Sequence, residues 1–137
     1  MKYDEIENAF LYVSAAFEHE NYAYINTKTG EIIYASDFED MDEDQEDEYY
    51  ANDDWVSVPH KNALDLGRNL VYEFASAFLP DDYERIRDIF RSKGAYARFK
   101  ELLMNRGKLQ DWYDFENEQQ KKALLDWCKE KGIEINE

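Results

Sequence analysis

Tyr22-Ala23-Tyr24-Ile25-Asn26-Thr27-Lys28-Thr29-Gly30-Glu31-Ile32-Ile33-Tyr34-Ala35 decides the fold class. Ala23 and Ile25 point to one side and Tyr22 and Tyr24 to the other, the alternation of a half-buried strand. Asn26 to Gly30 is turn chemistry, with Gly30 able to take a positive φ. Ile32, Ile33 and Tyr34 make the return strand. A two-stranded hairpin is marginal in water, so a further strand or a covering helix must complete it. Trp55-Val56-Ser57-Val58, closed by Pro59, supplies a short third strand.

Outward from the hairpin the periodicity is helical. Tyr3, Ile6, Phe10, Val13 and Phe17 recur at spacings of three and four, which predicts a helix over 3–17 with one apolar face. Asp4, Glu5 and Glu7 suit its first turn. Ala63, Gly67, Leu70, Phe74 and Phe78 predict a second helix over about 62–79. Pro80, with Asp81 and Asp82 behind it, starts a helix that carries Tyr83, Ile86, Ile89 and Phe90 and ends at Gly94. Tyr96, Phe99, Leu102 and Leu103 define the next, which stops at Gly107. The last runs over about 110–131, with Trp112, Phe115, Ala123, Leu124, Trp127 and Cys128 inward and Gly132 closing it. The fold class is therefore α+β: an N-terminal helix and a small antiparallel β-sheet packed with a C-terminal bundle of about four helices.

With 137 residues, 44% of them hydrophobic and 16% aromatic, the chain can build a core, and a single domain is the default over 1–137. A subdomain seam, if there is one, falls near 59–61. One cysteine forms no internal disulfide and fits a reducing cytoplasm. The acidic opening lacks the pattern of a signal peptide, and no apolar run has the length of a membrane span. The net charge of -16 is placed unevenly. Residues 1–60 hold 17 acids and 2 bases, whereas residues 61–137 hold 15 acids and 14 bases. Repulsion from nucleic acid and anionic membranes follows at low salt, so the chain reads as binding neither directly.

Gly94-Ala95-Tyr96-Ala97-Arg98-Phe99-Lys100, Trp112-Tyr113-Asp114-Phe115 and Trp127-Cys128 before Gly132-Ile133 resemble the C-terminal signature of the bacterial uncharacterised protein family 0158. The Thr29-Gly30-Glu31 hairpin and the stretch from Trp55 to Phe74 resemble its N-terminal part more loosely. The resemblance implies a bacterial cytoplasmic protein and brings with it no catalytic residue.

Between 37 and 54, eleven of 18 residues are acidic and none is basic. Asp40, Asp42, Glu43, Asp44, Glu46, Asp47 and Glu48 form its centre. Read as a calcium loop from Asp40, the run has Gln45 where glycine is needed and Ala51 where a bidentate glutamate is needed. A solvated acidic loop, available to a partner, is the better reading. Cys128 follows Trp127 on an inner helix face, where a thiol is usually an inert small hydrophobe. His19 and His60 lack the spacing of a zinc site, and no cofactor is implied. From Arg85 to Lys108 eight bases face two acids. Arg87, Arg91, Arg98 and Lys100 are the candidate basic contact residues, with ordinary solvent-facing cations as the plainer explanation. The acidic run folding over this basic face is a third arrangement, favoured by Coulomb attraction and weakened by salt.

No catalytic set stands out, so the sequence points to a non-enzymatic protein-interaction or regulatory module with an acidic face and a protein partner. The alternatives are an acidic nucleic-acid-mimic decoy, which needs carboxylates arrayed along an extended rigid surface, and an enzyme with an unrecognised carboxylate site.

Overall fold

The computed structural model describes residues 1–36, 42, 44, 47 and 52–136. The chain divides into two compact units: residues 1–64 with 121–137, and residues 65–120.

In the first unit, α1 (Tyr3–Ser14) opens with the Lys2 backbone N–H donating to Glu5 Oε2 at 3.2 Å, half of a capping box. It buries Ile6, Ala9, Phe10 and Val13, the face that the three-four spacing marks. It stops at Ser14, short of the expected end at Phe17, whose ring is 82% exposed instead of lying on the core face. Groups from elsewhere in the chain bond to this end of the helix. Asn21 Nδ2 donates to Tyr12 O at 2.9 Å, His60 Nε2 lies 2.9 Å from Ala16 O, and Ser14 Oγ accepts the Lys61 backbone N–H at 3.0 Å.

Strands β1 (Ala23–Asn26), β2 (Ile32–Tyr34) and β3 (Trp55–Ser57) form an antiparallel sheet in the order β2-β1-β3. Ala23 pairs with Tyr34, Ile25 with Ile32 on one side and Val56 on the other. Directly opposed residues share a face, so these five make the face on which Ala23 and Ile25 are fully buried. Tyr12 of α1 meets Tyr34 edge-on at 5.0 Å, which places the helix on that face. The turn is built by Asn26: its Oδ1 accepts the Lys28 and Thr29 N–H groups at 2.9 and 3.0 Å, and its carbonyl accepts Gly30 N–H. Gly30 takes φ +77°, where a β-carbon costs roughly 1–2 kcal/mol.

The second unit contains α2 (Arg68–Phe78), α3 (Tyr83–Ile89), α4 (Ala95–Arg106) and the first part of α5 (Leu109–Lys131). Leu70, Val71, Phe74, Ala75, Ile86, Phe90, Phe99, Leu102, Leu103 and Trp112 form one core. Phe74 meets Phe99 and Trp112 edge-on, at 6.5 and 5.3 Å between ring centres. The helix expected over 62–79 begins only at Arg68. Lys61–Leu64 is a 3₁₀ turn and Asp65 turns the chain with φ +59°, so Ala63 is exposed and belongs to no helical stripe. Gly94 does not end α3, which finishes at Ile89; with φ +74° it leads into α4.

Residues 121–131 of α5 belong to the first unit and bury Leu124, Trp127 and Cys128. Gly132 reverses the chain with φ +75°, and Ile133 N–H returns to Cys128 O at 2.8 Å. Lys121 Nζ sits 5.3 Å from the centre of the Tyr3 ring.

Candidate functional site

Where α1 ends, the chain must reverse to enter β1. Glu20 N–H bonds to Phe17 O at 3.1 Å, and His19 adopts φ +72°. The segment leaving β3 returns to the same place. His60, Lys61 and Asn62 bond in turn to Ala16, Ser14 and Glu18, the last through Asn62 Nδ2 donating to Glu18 Oε1 at 3.1 Å. Between the two segments lies a cleft of about 440 Å³, inside the first unit. Its apolar part comes from Val13, Val58 and Pro59. Glu18, His19, Asn21, Tyr22, Ser57 and Asn62 supply its polar groups. The size falls within the ~300–1,000 Å³ usual for ligand sites.

His60 lines this cleft with both ring nitrogens committed. Asn62 N–H points at Nδ1 at 3.1 Å, which must therefore accept, and Nε2 then carries the hydrogen given to Ala16 O. The ring is a strut joining two segments, and neither nitrogen is open for a metal or a proton relay. Among the described residues no group of three or more His, Cys, Asp or Glu is placed to hold a metal ion.

Cys128 is 1% exposed, and burial pushes its thiol up to about 11, the opposite of an activated nucleophile. Trp112 and Trp127 are buried, so they serve packing. Of the acidic candidates, Asp40, Glu43, Glu46 and Glu48 lie outside the described residues. Asp42, Asp44 and Asp47 are exposed.

The basic candidates are exposed and engaged within the second unit. The Arg87 guanidinium lies 4.7 Å from the centre of the Tyr72 ring and donates to Tyr83 Oη at 3.1 Å. Arg91 pairs with Asp88 at 2.8 Å. Arg98 Nη2 donates to the Ile89 and Lys93 carbonyls at 3.3 and 2.8 Å, closing the end of α3. Lys100 Nζ stands 5.6 Å over Tyr113. Arg106 grips Asp82 with two bonds, at 3.0 and 3.2 Å, and that hydrogen bonding holds the Asp82 carboxyl below its usual range.

The sequence gives no sign of the cleft, and in it the two histidines read only as residues that lack the spacing of a zinc site. The parts of the cleft come from 13–22 and 57–63, and no local motif joins them.

The chain belongs to the uncharacterised protein family UPF0158, whose model matches residues 6–136. The match includes the three-stranded sheet, the cleft and all the helices of the second unit. No curated protein and no solved structure gives a significant match. Among the described residues no helix is long and apolar enough to cross a membrane.

Proposed function

We propose that this chain is a non-enzymatic interaction module of the bacterial cytoplasm whose acidic first unit binds a basic protein partner. The observation that carries this reading is the allocation of charge between the units. Residues 1–64 and 121–137 hold 21 acids and 7 bases, whereas residues 65–120 hold 11 acids and nine bases. Surplus like charge raises the energy of the unit that carries it, and a partner of opposite charge relieves that cost while steering its own encounter. The exposure of Asp42, Asp44 and Asp47 supports the same reading.

The test uses two baits: the whole chain, and a version with every Asp and Glu of 37–54 changed to Asn or Gln. Proteins captured from bacterial lysate at low salt are compared, then purified and titrated against each bait. A stoichiometric basic partner that binds the natural chain at least about tenfold more tightly is expected, with affinity falling as salt rises. Equal binding to both baits, or no specific partner, defeats the proposal. Displacement of the partner by duplex DNA identifies the nucleic-acid-mimic form of the same reading.

A further inference from the structure

We infer that the cleft between the end of α1 and the segment after β3 is a receptor for an arginine side chain of that basic partner. The inference rests on the preceding proposal for the source of the arginine.

Three observations converge on a cation. The C-terminal end of a helix carries partial negative charge, here met by side-chain donors of Asn21 and His60, and attracts positive groups. The last turn of α1 contains no base, and Glu18 and Glu20 follow after Ala15, Ala16 and Phe17. The cleft opens at this end, with Val13 from the last turn and Glu18 both in its wall. Glu18 is also held in place: Asn62 Nδ2 donates to one of its oxygens, so less side-chain freedom is lost when a cation arrives.

The shape of the lining favours guanidinium over ammonium. A flat fork of N–H donors suits a carboxylate among polar neighbours, and Glu18 lines the cleft with Asn21, Ser57 and Asn62. Guanidinium also stacks on aromatic faces, and Tyr22 lines the wall. Val13, Val58 and Pro59 match the three-carbon stem of an arginine. Beside the cleft, Phe17 stands 82% exposed on a hydrogen-bonded turn, an apolar contact for the polypeptide that carries the arginine.

The experiment is a titration of the ¹⁵N-labelled full chain with N-acetyl-arginine amide, followed by the lysine and citrulline analogues. Saturable shifts are expected for backbone amides of 17–22, 57–58 and 60–63 and for the Asn62 side-chain NH₂. Citrulline, which keeps the shape without the charge, should bind at least about fivefold more weakly, and lysine should lie between the two. Glu18→Gln keeps an acceptor for Asn62 and should weaken arginine binding about fivefold. Absence of saturable shifts at these amides overturns the inference. So does citrulline or lysine binding as well as arginine, or a Glu18→Gln chain that binds undiminished. The titration needs no partner, so its failure leaves the charge-based proposal standing, and failure of partner capture leaves the titration unchanged.

Discussion

The Cys128 thiol is 1% exposed, and desolvation pushes its pKa up to about 11. At pH 8 on the order of 0.1% is thiolate. A thiol-specific disulfide reagent should therefore label the native chain slowly and label it fully in denaturant. Rapid labelling without denaturant would contradict the burial. Phe17 is the opposite case. Its ring continues the three-four spacing of Ile6, Phe10 and Val13, yet it is 82% exposed. Phe17→Ser should change unfolding free energy by less than about 0.5 kcal/mol, measured by urea denaturation. A loss of several kcal/mol would mean the ring packs against something. The two residues show where periodicity serves and where it fails. It finds the inward face of α5, and it overruns the end of α1 because spacing carries no information about where a helix stops.

The end of α1 and both ends of α3 are held by side chains from other elements. Arg98 closes α3, Asn21 and His60 close α1, and Asp82 at the start of α3 takes two hydrogen bonds from Arg106 at the end of α4. The hydrogen bonding from Arg106 lowers the pKa of Asp82 in the folded state, below the ordinary value of about 3.9. The folded chain thus binds that proton less readily than the unfolded chain. The resulting stability is fully present above the ordinary value and disappears as pH falls through the lowered one. Asp82→Asn should therefore be less stable than the natural chain near neutrality, with the gap closing in strong acid, as read from urea midpoints at both pH values. A gap of the same size in acid would assign the effect to packing. Pro80 and the paired aspartates make the start of this helix legible in the sequence. The Arg106 partner, 24 positions away, is not.

Charge is a property of whole units here. The first unit, with 21 acids against 7 bases, repels itself, and screening shortens that repulsion from a range of about 30 Å at 0.01 M salt to about 10 Å at 0.1 M. The melting temperature should rise by a few degrees over that interval. It should rise less in the chain whose 37–54 acids are amides. A melting temperature indifferent to salt would show that the acids do not act on one another, and the proposed docking of a basic partner would lose its driving force. The pairing of acidic run with basic helices weighed from the sequence concerns a segment mostly outside the described residues. The arginines it would have used are engaged with Tyr72, Tyr83, Asp88 and two carbonyls of their own unit.

Much of the architecture is written locally. The hairpin with its Asn26–Gly30 turn, the third strand, the inward faces of the helices, the stops at Gly107 and Gly132 and the uneven charge all follow from neighbours within a few positions, because backbone geometry and side-chain period act over that range. Tertiary structure alone decided the early end of α1, the late start of α2 at Arg68, the engagement of the basic residues and the cleft. Each depends on groups far apart in the chain, as His60 and Ala16 are, 44 positions apart. Such contacts exist only once the sheet has brought the two segments together, and a linear pattern holds no trace of that meeting.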